Sequence, residues 1–355
     1  MLAILDLVAL SSWHLTLRVK ALDILRAQPG LLSLEAVLDA VPDARMPPGL
    51  ASRLRIRAAK ALAAARRGGI EPIAWGDTRY PLLLAQIPDA PLVLWTKGDH
   101  EVLSHPTVAI VGSRAATPYG LEAASRLAGD LAAAGALVIS GLARGVDSAA
   151  HRAALAAGGE TVAVLGSGVD VIYPPEHQEL AVEIASRGAL VSELPPGTPP
   201  CAFHFPARNR IISGLSLAVV VVEAAERSGS LITAGCALDQ GRAVMAVPGS
   251  VLSGRHKGSH ALIRDGAAVV ESAEDVLAEL RTSSLRPASP VAGDAPLSDP
   301  IVARMTAGES YDVEGLGRAT GLSPAQLLPR LLELELRGAV RRLDGGRFVR
   351  AGRTC

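Results

Sequence analysis

The sequence predicts an α/β fold built on a doubly wound, mostly parallel sheet. Three observations indicate this class. Short apolar runs recur between residues 71 and 281, these runs do not alternate with polar residues, and segments of helical periodicity separate them. Strands without alternation are buried on both faces, which is typical of a parallel sheet covered by helices on each side. We therefore expect residues 71–281 to form one such domain.

Seven apolar runs are the predicted strands of this domain, numbered here in chain order: Val108–Val111, Leu137–Ser140, Thr161–Leu165, Ala189–Ser192, Leu217–Val222, Ala243–Val247 and Ala267–Val270. Thr117 and Pro118 cap and open a helix after the first strand, and that helix closes at Gly135. A second helix, from Ala149 to Leu155, follows the second strand. This alternation of strand and helix is what a doubly wound sheet requires.

The first 70 residues predict a small all-α domain. Apolar residues recur at helical spacing in Val19–Leu25, Leu34–Leu38 and Leu54–Ala64. Pro29–Gly30 and Pro47–Gly49 separate these segments, because proline and glycine interrupt helices.

The end of the chain predicts a linker and a third domain. Residues 282–300 are rich in Pro, Ser, Ala and Gly and contain little that can pack, so we interpret them as a linker. In residues 301–355, helical segments precede a basic hairpin that turns at Asp344–Gly346, which predicts a winged-helix-like domain. Pro329 lies inside one predicted helix, where it removes a backbone hydrogen bond.

Composition limits the classes of function. The chain has 355 residues and 35 basic against 35 acidic side chains, so any anion site must be a local patch. Three scattered cysteines without a C-x-x-C pair predict neither a zinc site nor a disulfide framework, and indicate a reduced, cytoplasmic protein. Met1–Leu17 is interpreted as an amphipathic helix rather than a signal peptide, and no apolar run approaches the ~20 residues that a membrane span needs.

Anion-binding residue types follow several predicted strands. In an open parallel sheet, ligands bind beyond the carboxyl ends of the strands. Glycine, hydroxyl and guanidinium groups in such turns supply donors for phosphate oxygens. The residues concerned after the first, second and fifth strands are Gly112, Ser113, Arg114, Gly141, Arg144, Ser228, Gly229 and Ser230. The turn Gly166–Gly168 after the third strand belongs to the same rim. Each turn alone has an ordinary structural explanation, and their shared position is what predicts a site.

Arg208, Asn209 and Arg210 are the most distinctive group in the chain. They stand in three consecutive positions before the fifth strand, and no acidic residue occurs between Cys201 and Val222. Guanidinium groups match phosphate oxygens with paired donors. The sequence therefore predicts that these cations hold an anion without a carboxylate to neutralise them.

The sequence lacks the motifs of several common enzyme classes. The chain contains no G-x-x-x-x-G-K-[ST], no G-x-S-x-G and no H-E-x-x-H, and Gly166–Val171 lacks the third glycine of a dinucleotide fingerprint. We therefore expect binding rather than turnover, with no cofactor and no metal.

At these residues the chain resembles the DprA/Smf family, DNA-processing protein A. The resemblance is close over residues 75–280 and lies in an ordered series of motifs: Val111–Arg114, Ser140–Asp147, Tyr173–Pro174, Ser192–Glu193, Phe205–Ile212, Ser228–Thr233, Gly241–Arg242, Val247–Gly249, Leu262–Ile263 and Gly266–Ala267. The helical, SAM-like front domain and the winged tail resemble the family only in architecture. The family often has asparagine where this chain has His260.

The resemblance implies an extended Rossmann-like fold and a function. Members of this family are bacterial, cytosolic, dimeric and not enzymes. They bind single-stranded DNA, protect it during natural transformation and help to load RecA on it. By resemblance, Arg114 and the group Arg208–Arg210 contact the DNA backbone. The implied homodimer interface comprises Leu262, Ile263, Val269 and Val270.

Two alternative functions remain open at the level of sequence. A nucleotide-hydrolysing enzyme on a related scaffold would use a glutamate beside a glycine-rich loop, here Glu223 and Arg227–Thr233. A transcription regulator would use residues 301–355 to bind duplex DNA and the central domain to sense a ligand.

Overall fold

A computed structural model provides the fold of the chain. It describes residues 2–285 except 14, 29, 31–32, 42–46 and 48, and then residues 301–305, 310–323, 326–327, 330–331, 334, 340–343 and 347–350. The predicted linker from 286 to 300, Pro329 and the turn at Asp344–Gly346 lie outside the described residues. Residues 282–285, assigned to the linker from sequence, instead end a helix.

The central domain is a sheet that is covered by helices. In the described chain, nine strands form this sheet: β1 (Glu71–Ala74), β2 (Val93–Gly98), β3 (Thr107–Val111), β4 (Leu137–Ser140), β5 (Thr161–Val164), β6 (Ala189–Ser192), β7 (Ala218–Val221), β8 (Ala243–Ala246) and β9 (Ala268–Val269). Their order is β1-β2-β6-β5-β4-β3-β7-β8-β9. The helices of this unit are α1 (Ile4–Ser11), α2 (Leu15–Ala27), α3 (Leu34–Ala40), α4 (Leu50–Arg67), α5 (Leu82–Ala85), α6 (Pro118–Ala133), α7 (Val146–Ala156), α8 (Gln178–Arg187), α9 (His204–Gly214), α10 (Ser230–Asp239), α11 (Lys257–Arg264) and α12 (Ala273–Leu285).

The prediction of a mostly parallel, doubly wound sheet is confirmed. Strands β3 to β9 pair in parallel, whereas β1 and β2 add an antiparallel edge that was not predicted. The side chains of β3 alternate between two cores: Val108 and Ile110 pack with α6, α7 and α12, and Ala109 and Val111 pack on the opposite side. Burial on both faces explains why these strands are continuous apolar runs.

The N-terminal residues are helical, as predicted, and they pack on the sheet. Leu10 and Leu22 lie in the same apolar cluster as Trp95 of β2. Arg26 of α2 donates hydrogen bonds to the carbonyl groups of Ala85, Ile87 and Pro88. Residues 1–286 therefore form one compact unit.

The second unit, residues 287–355, has the elements of a winged helix. Strand β10 (Ser310–Tyr311) precedes helix α13 (Val313–Thr320). Among the described residues it forms an antiparallel sheet with β11 (Val340–Leu343) and β12 (Arg347–Arg350), in the order β10-β12-β11. Leu316, Leu327, Leu331 and Phe348 are buried in its small core. The predicted basic hairpin corresponds to β11 and β12. No helix among the described residues is both long and apolar enough to cross a membrane.

His151 of α7 is buried in a way that fixes its neutral form. Its Nδ1 lies 2.7 Å from the Thr161 hydroxyl, which itself donates to the carbonyl group of Val138. The ring must therefore donate from Nδ1, and its buried Nε2 has no hydrogen-bond partner among the described residues. Burial lowers the pKa of His151 to about 3, because the charged ring would lie in an apolar environment.

We expect this histidine to make stability depend on acid pH. In the unfolded chain this histidine binds a proton near its ordinary pKa of 6.5, and in the folded chain only near 3. The free energy of unfolding therefore falls as the pH drops between these two values. The slope is up to about 1.4 kcal/mol per pH unit. Urea unfolding from pH 7 to pH 4 measures this slope. A His151→Asn variant retains an N–H group near the position of Nδ1 but cannot titrate, and its slope should be shallower. An identical slope in both proteins would contradict the assignment.

Candidate nucleic-acid interface

The principal cleft lies where the strand order of the sheet reverses. From β3 the chain winds in one direction through β4, β5 and β6, and it then returns to the other side of β3 through β7, β8 and β9. The turns after β3 and β7 therefore diverge and leave a crevice between them. This crevice is a cleft of about 790 Å³. It brings together residues after β3, residues of α9 and residues after β7 that the sequence analysis proposed separately: Gly112, Ser113, Arg114, Arg208, Asn209, Ser228, Gly229 and Ser230.

Arg114 and Arg227 are the exposed cations of this cleft. Arg114 follows β3, and its guanidinium carbon lies 5.5 Å from the centre of the Phe205 ring. Neither arginine has a carboxylate within 4.0 Å in the part of the chain that the structure describes. Arg227 was not predicted to contact DNA. Its position in the loop after the fifth predicted strand, next to Ser228–Ser230, was the signal that could have identified it.

Arg208 forms part of the floor of the cleft. Its side chain is buried, and Nη1 donates to the carbonyl oxygens of Gly141, at 2.8 Å, and Val164. Burial lowers the pKa of Arg208 to about 10, although the neighbouring Asp147 carboxylate opposes this effect. A Cβ atom on Gly141 would lie 2.5 Å from Nη2 of Arg208, which explains the glycine after β4. Arg208 thus positions the strand ends as well as placing positive charge beneath the cleft.

Arg210 does not contribute to the cleft, and its prediction as a DNA contact is wrong. It is 6% exposed, its Nη2 donates to Glu193 at 2.8 Å, and its Nε lies 2.8 Å from Asp89. The two carboxylates come from distant parts of the sequence, so the acid-free stretch around Arg210 gave no sign of them. The group Arg208–Arg210 lies in α9. Successive residues of a helix face different directions, so Arg208 reaches the cleft and Arg210 reaches the protein interior.

Arg144 and Gly141 line a small side pocket that adjoins the cleft through Arg114 and Arg208. Arg144 is exposed and forms an ion pair with Glu176, so part of its charge is already neutralised. The turn at Gly166–Gly168 does not line the cleft in the described structure. A Cβ atom on Gly166 would lie 2.8 Å from the Phe205 ring, which indicates a packing role for that glycine.

The carboxylate of Glu223 lies at the start of α6, the helix that follows the turn Gly112–Arg114. This carboxylate is fully buried and accepts hydrogen bonds from the backbone N–H and the hydroxyl group of Thr117, the N-cap of α6. The start of α6 therefore already has a negative charge near its positive end. The donors that Gly112–Arg114 can offer to an anion are therefore those of the turn itself, without the start of α6. Glu223 does not line the cleft.

The loop after β7 faces the loop after β3 across the cleft. The hydroxyl groups of Ser228 and Ser230 lie 2.7 Å apart, and the Asn209 amide donates to the Gly229 carbonyl at 3.3 Å. This contact connects α9 to the loop that carries Arg227.

Gly145 has a φ of +76°, and a Cβ atom there would collide with the Ser113 carbonyl group, so glycine allows the Ser113 turn to lie on the start of α7.

Aromatic rings flank the cationic groups. Phe205 and Tyr173 both line the cleft, and their ring centres are 5.5 Å apart. Phe203, the N-cap residue of α9, is 69% exposed. Tyr173 is exposed and Phe205 is half-buried beside Arg114, and such rings offer surfaces on which bases can stack.

The predicted dimer residues are only partly available. Val269 is 44% exposed on β9, the edge strand of the sheet, and Leu262 and Ile263 of α11 are half-buried. Val270, in contrast, is 0% exposed because it packs in the core beneath α12. Its prediction as an interface residue is contradicted by this burial.

Comparisons with known proteins agree with this architecture. Residues 71–281 match the model of the family described as DNA recombination-mediator protein A, and residues 286–346 match the DprA winged helix domain. Protein Smf of Escherichia coli is 42% identical over 285 residues, which are 78% of this chain and 76% of that protein.

Two solved structures are similar in sequence and fold. DprA from Streptococcus pneumoniae has a TM-score of 0.70 and 38% identity, covering 79% of this chain and 99% of that one. DprA from Helicobacter pylori, whose structure concerns its single-stranded DNA binding mode, has a TM-score of 0.55 and 29% identity, covering 60% of this chain and 96% of that one. With the family model spanning more than half of the sequence, the chain belongs to the DprA/Smf family.

Proposed function

We propose that this protein binds single-stranded DNA in the cleft beside β3 and β7. The observation that carries the proposal is the convergence of Arg114, Arg208 and Arg227 on one cleft, two of them exposed and without an acidic partner among the described residues. A polyanionic strand supplies the phosphates that such a site lacks. The Helicobacter pylori relative, whose solved structure concerns single-stranded DNA binding, supports the same assignment.

The cleft suits a flexible strand better than a duplex. Arg114 and Arg227 can contact successive phosphates from opposite sides of the cleft, while bases that are turned inward can stack on Phe205 and Tyr173. Stacking on aromatic rings tolerates any base, so sequence preference should be weak. The neutral net charge of the chain limits long-range attraction, and the local patch must provide the affinity.

We further propose that the cleft binds DNA without changing it chemically. Asp147 is the acidic residue among the described lining residues, and its Oδ2 accepts hydrogen bonds from the backbone N–H groups of Gly141 and Ala143. That carboxylate holds the loop after β4 and is not presented as a base. Glu223, which the hydrolase alternative requires, is buried against Thr117.

The wider role that we propose is recombination mediation during natural transformation. In this role the protein acts in the cytoplasm as a homodimer, protects incoming single strands and helps to load RecA on them. The exposed edge of β9 and the half-buried side chains of Leu262 and Ile263 support self-association. Two clefts in one dimer would bind a long strand with avidity.

Competition between single- and double-stranded oligonucleotides across a salt series tests the proposal. We expect preference for the single strand, and a slope of log K against log salt of roughly −1.4 to −2 for two or three phosphate contacts at ~0.7 each. Mass measured in parallel reports the dimer, and RecA assembly on coated strands reports loading. Duplex preference that disappears on deletion of residues 301–355 would instead support a winged-helix regulator, and release of free base from nucleotides would support a hydrolase.

A further inference from the structure

A second groove leaves the cleft at Arg114. It has a volume of about 730 Å³ and runs between α6 and α7. Arg114 and Ala115 line both the cleft and this groove, so the two adjoin at these residues. Arg152 of α7, about two helical turns after Gly145, also lines the groove. None of the sequence motifs that indicated the cleft includes Arg152.

Arg152 has the properties of an available phosphate contact. Its side chain is exposed, and no carboxylate lies within 4.0 Å of it in the described part of the chain. The described lining of the groove contains Arg114 and Arg152 and no acidic residue. Two cations without an acidic partner, and no acidic residue among the described lining residues, make the groove complementary to a polyanion.

The walls of the groove leave room for a strand. Between the two arginines they consist mostly of Ala, Ser and Gly, such as Ser148 and Ala149, so the helix backbones lie close to the surface. The start of α7, at Gly145 and Ser148, also lines the groove. The positive end of that helix dipole adds to the attraction for phosphate groups.

We propose that the groove between α6 and α7 continues the path of single-stranded DNA from the cleft to Arg152. This inference rests on the proposed function and adds a second segment to its binding site. From Gly145 to Arg152 the rise along α7 is roughly 10 Å, the length of about three stacked nucleotides at roughly 3.4 Å each. Oligonucleotides that fill only the cleft should not reach Arg152.

Binding of fluorescent oligothymidylates of about 4 and about 16 nucleotides, which span the usual site sizes of single-strand binders, tests the proposal. Arg152→Ala should weaken binding of the long oligonucleotide about fivefold and reduce its salt slope by about 0.7, the value of one phosphate contact. Binding of the short oligonucleotide should change less than about twofold. Arg66→Ala is the matched control, since Arg66 is an exposed arginine of α4 that lines neither the cleft nor the groove.

The outcomes separate this inference from the proposed function. Suppose that the native protein binds both oligonucleotides, and that Arg152→Ala binds the long one as tightly as Arg66→Ala does. The groove is then not part of the DNA path, and the proposal for the cleft stands. If Arg152→Ala weakens both lengths equally, Arg152 acts on the cleft and the extension is wrong. If the native protein binds neither length, the proposed function fails and the extension fails with it. Circular dichroism checks that both variants are folded.

Discussion

Replacing Arg114 and Arg227 together by alanine should reduce the affinity for an oligothymidylate about 100-fold. Each lost charge-assisted contact should cost about 1.4 kcal/mol, which is about a tenfold loss of affinity. Both side chains are exposed and have no acidic partner among the described residues, so their charge is available to phosphate groups. The salt slope should fall by about 1.4, at ~0.7 per contact. Fluorescence anisotropy at three salt concentrations measures both quantities.

The matched control removes the same charge elsewhere. Arg66 and Arg67 are exposed on the last turn of α4 and line neither groove, so their double alanine variant has the same net charge as the cleft variant. We expect this control to bind DNA almost as the native protein does. Equal losses in the two variants would mean that overall charge, rather than the cleft, determines affinity.

Arg208→Ala should behave differently from Arg114→Ala. Arg114 is exposed, so its replacement should leave the fold intact. Removing the guanidinium of Arg208 instead leaves the carbonyl groups of Gly141 and Val164 and the Asp147 carboxylate without that partner. Unsatisfied buried groups of this kind destabilise the fold. A loss of DNA binding in Arg208→Ala therefore cannot be assigned to a lost phosphate contact.

Much of the fold could be predicted because the sheet is buried on both sides. Seven strands were identified from unbroken apolar runs, and their ends agree with the structure to within about one residue, as at Leu137–Ser140. The antiparallel edge was missed. Its first strand, Glu71–Ala74, contains a proline and is buried only in its second half, and such a strand lacks the unbroken apolar run that marks a central one.

The site was predicted less completely, because polar partners come from distant parts of the chain. The turns at Gly112–Arg114 and Ser228–Ser230 were identified since they follow strands, and strand ends meet at one edge of a parallel sheet. Arg210 was misassigned because its carboxylates, Asp89 and Glu193, are far from it in sequence. Local composition reports which groups are present, and only the fold determines which of them neutralise each other.

Glu193→Ala should lower the free energy of unfolding by about 3–5 kcal/mol, the usual effect of removing one partner from a buried ion pair. Glu193 is 8% exposed. Its carboxylate accepts a hydrogen bond from Arg210 of α9 at 2.8 Å and forms an ion pair with Arg18 of α2 at 2.9 Å. Its removal leaves Arg210 with Asp89 alone and Arg18 without a close carboxylate in the described structure. The thermal midpoint should fall by roughly 10 °C for a unit of this size.

The same substitution also tests how the N-terminal helices are held on the sheet. Glu193 follows β6 and contacts both α2 and α9, so its loss should loosen α2 and expose the chain near Arg18 to proteolysis at temperatures below the midpoint. Glu176→Ala is the control, because Glu176 forms an exposed ion pair with Arg144, and exposed pairs contribute little to stability. Equal thermal midpoints in Glu193→Ala and Glu176→Ala would contradict this prediction. They would mean that Asp89 alone neutralises Arg210. They would also mean that burial of α1 and α2 against β2 holds the N-terminal helices in place without the ion pairs.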